Sequence, residues 1–252
     1  MFQVIFKSML VIAIRDKVTL FYSFAFPIVL MIALGSFFNE NTQQLQIVAG
    51  VTAISTIFWG MQGIAFQVHA QRNKGVYKLL KLTPMPLFTF ILIMVLARTF
   101  TGVLINSIVW LLGILLFTID VYMPTVINTF LLLIIGSLCF TTIGFVISNL
   151  ARNEAQISMY SNLIQLPMIF MSEAFYHLKN APEWFVLIGK LFPFEHYVKA
   201  LRGLMMGENN VLLLGYGILL IYFILAILLA IRTFKWDSNQ MDIRFKEGKY
   251  AS

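Results

Sequence analysis

Few residues in this chain are placed to do covalent chemistry. His69, His177 and His196 lie in three separate segments and do not form a ligand set, and the single cysteine, Cys139, sits inside an apolar run. There is no H-E-x-x-H or G-x-S-x-G pattern and no pair of carboxylates inside an apolar stretch, so an intramembrane hydrolase is not encoded. One cysteine rules out an internal disulfide and a cysteine-built metal site, and no metal or cofactor is expected on the chain. A phosphate loop of the form G-x-x-x-x-G-K-[ST] is also missing, so ATP cannot be held in the P-loop manner.

What remains is chemistry of position. Gln62 and Gln67, Asn106 and Ser107, and Asn162 and Gln165 are polar groups enclosed in apolar sequence, where an unmet hydrogen-bonding group is costly. Such residues either bond helix to helix or line a path for a solute. Glu173 follows a long apolar run, so it is either an interfacial acid or a group able to meet a cationic solute. Arg98 stands in an uncharged stretch and is expected to snorkel to the headgroups.

The elements that hold these residues follow from composition. Of the 252 residues 60% are hydrophobic and only 12% are charged, against roughly 25% charged in a soluble domain. Six apolar segments, 18–38, 45–68, 87–117, 126–150, 157–175 and 211–234, approach or exceed the ~20 residues needed to cross a hydrocarbon core. The fifth is marginal and carries Pro167. The class is therefore an all-α membrane protein with six transmembrane helices, read as one membrane domain over 1–252. No cleavable leader is expected, because the apolar stretch 2–6 is short and no A-x-A site precedes the first long run.

Charge orients the chain. All of the 18 basic residues except Lys179, Lys190, Lys199 and Arg202 fall on one side if both termini are cytosolic, which satisfies the positive-inside rule. The formal charge of +7 then faces anionic lipid headgroups and a cytosolic partner, not nucleic acid. Phe2, Ile5, Phe6, Met9, Leu10 and Ala13 recur at helical spacing, which predicts an amphipathic interfacial helix over 1–17.

Three further segments stand out. The cytosolic loop 69–86 predicts a short basic helix, with Val76, Leu79 and Leu80 on one side and Lys74, Lys78 and Lys81 on the other. It ends at Thr83-Pro84. It rests on the inner leaflet or enters a groove on a soluble partner. The turn 152–156 follows the fourth span. The outer segment 171–209 is dense in aromatic residues and predicts two short helices, re-entrant or interfacial, between spans five and six. A polar cytosolic tail covers 235–252.

In order and spacing these segments resemble the ABC type 2 transporter permeases over nearly the whole chain. Arg72, Gly75, Leu80, Thr83 and Pro84 match the family's R-x-x-G-x-x-x-x-L-x-x-T-P loop. Arg152, Glu154 and Ala155 match its second cytosolic turn with looser spacing. Met171, Ser172, Phe175, Pro182, Trp184, Pro193, Leu201 and Arg202 match its outer motif. Glu173 replaces the family's glycine, the proline near His177 is missing, and Asn73 lies where an acid is usual. The resemblance implies an exporter subunit in a bacterial cell membrane, paired with a second permease and with separate nucleotide-binding ATPase subunits that hold ATP and Mg. It makes Arg72, Gly75, Tyr77, Leu79, Leu80, Thr83 and Pro84 the coupling contacts to the ATPase. Gln62, Asn106, Asn162, Gln165 and Glu173 become candidates for a substrate path, with a drug, a peptide or an amphipathic, lipid-like molecule as cargo. The rival readings are a proton-coupled secondary transporter and a non-transporting immunity or sensor subunit.

Overall fold

The computed structural model describes residues 2–38, 40–77, 85–175, 181–208 and 211–234. Every regular element among them is a helix: α1 (Phe2–Arg15), α2 (17–37), α3 (Asn41–Asn73), α4 (Leu87–Leu116), α5 (Met123–Leu150), α6 (Glu154–Phe170), α7 (Glu183–Leu191), α8 (Pro193–Met206) and α9 (Leu212–Thr233).

Four of these, α3, α4, α5 and α9, are long and apolar enough to cross a membrane. Their outer surfaces carry the signature of a lipid solvent. On α4, Phe100, Leu104, Ile108, Leu111 and Leu115 form an exposed stripe at three- and four-residue spacing, and α9 exposes Leu213, Leu214, Ile221, Ile224 and Leu225. A helix of a soluble protein turns such a stripe inward. The two other segments expected to cross are shorter. The apolar part of α2 is Phe21–Phe37, and it opens on a π-helical turn, Phe21–Ala25. Pro27 has no N–H to return to that turn, and the Ser55 hydroxyl of α3 donates to the Ser23 carbonyl instead. The expected fifth span, 157–175, is helical only to Phe170, because the chain turns at Met171 and leaves regular structure through 172–175.

The bundle is built around α3. From Gln46 to Ile57 every one of its residues is buried, with α2, α4, α5 and α8 packed round it. α9 lies outside, against α5 and α8. α1 exists as the spacing predicts, but its stripe packs on protein: Met9 and Ala13 are buried, and Phe6 meets Phe100 of α4 edge-on.

Helices α7 and α8 form a hairpin whose corner, Phe192-Pro193, reaches the middle of the bundle. There Phe194 and Tyr197 pack edge-on against Phe140 of α5, and the Tyr197 hydroxyl lies 3.0 Å from that of Thr56, halfway along α3. A bend at this depth needs its own hydrogen-bond partners. The Phe192 N–H donates to Gly189, the His196 ring pairs with the Lys190 carbonyl at 2.8 Å, and the Tyr222 hydroxyl of α9 donates to the Leu191 carbonyl. Pro193 opens α8, where its missing N–H costs nothing.

The close packing rests on notches without side chains. A Cβ on Gly136 would lie 2.3 Å from the Tyr197 ring, whereas one on Gly217 would meet nothing within 4 Å. Gly136→Ala should therefore lower stability by about 1–3 kcal/mol, the usual penalty for overpacking, and Gly217→Ala should be silent. Thermal unfolding in detergent compares the two; equal effects would mean that the notch does not position α8.

Candidate functional site

At the end of the bundle where α3 terminates, the sequence motif acquires a geometry. α3 stops at Asn73, the Lys74 N–H returns to the Ala70 carbonyl and the Gly75 N–H to that of Arg72, and Gly75 takes φ +73°. A side chain there is strained whatever space surrounds it, which accounts for the motif's glycine. The chain then turns back, and Tyr77 is fully buried against Phe90 of α4 and Phe234 beyond α9, with ring centroids 5.2 and 5.8 Å away. Burial raises the Tyr77 phenol pKa, so it stays neutral.

Arg72 does not reach outward. It is 2% exposed and donates from Nη1 to the Ser148 carbonyl at 2.9 Å and from Nη2 to the Asn149 Oδ1 at 2.7 Å. A cation there also meets the partial negative charge of the α5 C-terminus. Asn149 passes the link on, donating to the Ala230 carbonyl at 3.1 Å and the Thr233 hydroxyl at 3.2 Å on α9. Arg72 and Tyr77, expected as contact residues, thus anchor the base of the loop to three helix ends. Leu79, Leu80, Thr83 and Pro84 lie outside the described residues. Among the described residues, those exposed on this face include Asn73 and Lys74, together with 152–155 in the turn before α6. In that turn the Asn153 side chain caps α6 by accepting the Gln156 N–H at 2.9 Å, and the Gln156 side chain accepts the Arg152 N–H at 2.9 Å.

The candidate path residues are not gathered into one chamber. Asn106 is fully buried with its amide oxygen 2.6 Å from the Ser55 hydroxyl, and Gln165 donates to the Ile57 carbonyl at 3.3 Å. Both serve helix-to-helix bonding. Gln62 is half-buried in the π-helical turn Phe58–Gly63 of α3, and Asn162 is exposed on α6. Glu173 pairs with Arg202 of α8 at 2.7 Å. Its backbone is held as firmly, with the N–H donating to the Glu195 carboxylate at 2.9 Å and the carbonyl accepting from Gln46 at 3.2 Å. Glu195, 2% exposed, also pairs with Lys199 at 2.8 Å. These bonds supply the non-helical segment 171–175 with partners it could not find in lipid.

The largest departure from the sequence reading is Arg98. Instead of snorkelling it is 1% exposed, because it stands eleven residues into α4, about 16 Å along the axis, beyond the reach of its own arm. Its guanidinium lies 3.8 Å from the centroid of the Trp59 ring, donates from Nε to the Trp59 carbonyl at 3.3 Å and from Nη1 to Gln67 at 3.2 Å, and faces Asp16 at 3.8 Å. The Trp59 indole returns a bond to the Arg98 carbonyl at 3.0 Å. Gly63 makes room, since a Cβ there would lie 1.6 Å from Nη2. Asp16 in turn caps α2, accepting from the Thr19 N–H at 3.1 Å and from its hydroxyl. The signal available in the sequence was an arginine too far from either end of its span to reach water, with an aspartate at the start of the first span to answer it.

Apolar outer surfaces on long helices define a multi-pass membrane protein. The family model of the ABC-2 type transporters matches residues 1–206, and the chain belongs to that family, as the membrane-spanning permease component. It is also similar to Nodulation protein J of Rhizobium leguminosarum bv. viciae, with 31% identity over 98 residues, a stretch spanning 38% of this chain and 38% of that protein.

The buried cluster makes a prediction. Removing one partner of a buried charge contact costs up to about 3–5 kcal/mol. The side chain of Asp16 is a quarter exposed, so Arg98→Met should cost about 2–3 kcal/mol and Asp16→Asn about 1 kcal/mol or less. The double variant should lose less than the sum of the two. Denaturant unfolding in micelles measures all three; strict additivity would mean that the two side chains do not interact.

Proposed function

We propose that this chain is the permease half of an ATP-driven exporter whose energy comes from a separate nucleotide-binding subunit that docks on residues 73–86. In this reading α2 and α6 cross the membrane with the four longer helices, making six crossings with both termini cytosolic. The 21 residues of α2 span about 31 Å, and the distribution of Lys and Arg supports that orientation. The α7–α8 hairpin is then re-entrant from the outer side, and α1 lies at the inner surface of the cell membrane.

The observation that carries the proposal is the Arg72 clasp. A force applied to the loop is delivered through Arg72 and Asn149 to the ends of α5 and α9 together, which is the connection an external motor requires. Asn162, a polar group on the exposed face of α6 beside Met159, Leu163 and Leu166, supports a second permease copy against that face, since an amide facing lipid is costly. Gln62 and Asn162 remain candidates for the substrate path, and the cargo is a drug, a peptide or an amphipathic, lipid-like molecule.

Leu80→Asp should abolish coupling, leaving the permease folded and ATP hydrolysis by the partner subunit running while export falls at least about tenfold, a loss of ~1.4 kcal/mol or more in the driving interaction. Arg72→Ala should produce the same split by loosening the base of the loop. Reconstituted vesicles containing both subunits provide the readout. Export that stays coupled in both variants would remove the docking assignment.

A further inference from the structure

At the end of the bundle opposite the 73–77 turn, the last turn of α2, the first turns of α3 and the segment after α6 line an open-sided cavity of about 410 Å³. That lies within the roughly 300–1,000 Å³ typical of small-molecule sites. Leu34, Phe38 and Phe175 supply apolar and aromatic wall, and Gln43 and Gln46 supply amides. Glu40 is the single ionisable residue among those lining it. The neighbouring charges are arranged in pairs, Glu173 with Arg202 and Glu195 with Lys199. Among the described residues Glu40 therefore supplies the charge at the cavity wall.

We infer that this cavity binds a lipophilic organic cation, the charge facing Glu40 and the apolar body lying between Phe38 and Phe175. The wall and the charge each point to that class. An aromatic face attracts a desolvated cation through its quadrupole, a carboxylate adds the opposite charge, and the same carboxylate repels an anion of equal size and shape. Glu173, the acid that the sequence singles out for such a role, already has Arg202, whereas Glu40 stands at the N-cap position of α3 and its carboxylate accepts no cap hydrogen bond from the first turn. The inference deepens the exporter reading by naming its substrate class, and it places the site at the end where cargo would leave.

Binding is measured on the purified permease without turnover, by equilibrium dialysis of tetraphenylphosphonium against the protein in detergent, with tetraphenylborate as the isosteric anion. We expect saturable binding of the cation and none of the anion. Glu40→Gln and Phe175→Ala should each weaken binding by about tenfold, with the unfolding temperature of the exposed Glu40→Gln variant unchanged. Equal uptake of cation and anion, or a cation affinity indifferent to Glu40→Gln, would reduce the signal to partition into the micelle and overturn the assignment. The exporter reading fails differently: if cation binding depends on Glu40 but vesicles with the ATPase subunit move no cation, the site stands and its link to export falls.

Discussion

A guanidinium enclosed in an apolar bundle must be solvated by the protein itself, and the arrangement of three helices follows from that requirement here. Arg98 on α4 takes its partners from Trp59 and Gln67 on α3 and from Asp16 at the head of α2. Each partner is fixed by a second duty: Trp59 bonds back to α4, and Asp16 caps α2. The π-helical turn at Phe58–Gly63 presents the Trp59 carbonyl and the bare Gly63 backbone on the side where the guanidinium lies. Replacing all members of this cluster together by apolar side chains would change net stability little, whereas removing one member leaves the others unpartnered. The cluster therefore fixes the register of α2, α3 and α4 against one another.

The same rule explains the other half of the bundle. Segment 171–175 and the Phe192-Pro193 corner break helical bonding, and each takes partners from the side chains around it. Gln46 and Glu195 serve the first, and His196 and Tyr222 serve the second. The bonds to the hairpin come from α3 and α9, so a shift of either helix is felt by the hairpin. On the opposite face, Arg72 and Asn149 tie the loop to α5 and α9. α9 is thus common to the loop clasp and the hairpin, and it offers a physical route between the two ends of the molecule.

Much of this was legible in the sequence. Uncharged runs gave the long helices because apolar length is a nearly sufficient signal in lipid. Gly75 was legible as a motif position, and its positive φ supplies the reason. Less legible was which face each polar residue takes. The order R-x-x-G marked Arg72 as important, but not that its side chain turns inward to cap α5. For Gln165 and Asn106 the sequence allowed either a path role or bonding between helices, and their bonds from α6 and α4 to α3 depend on helix rotation and not on hydropathy. Arg98 and Asp16 are 82 positions apart in the chain, so their pairing is a product of tertiary packing. The end of α6 at Phe170 likewise depends on Gly50, which admits the Ala174 carbonyl to within 2.2 Å of where a Cβ would sit.

Site-specific photo-crosslinking in native membranes tests the central claim, that the 73–77 turn is the surface on which a separate motor acts. Lys74 and Glu40 lie at opposite ends of α3, both exposed. A crosslinker at Lys74 should capture a nucleotide-binding subunit in a yield that changes when ATP is bound, and one at Glu40 should capture no such subunit. Capture from Glu40 but not from Lys74 would reverse the orientation, and capture from neither in membranes that contain the assembled transporter would contradict the account.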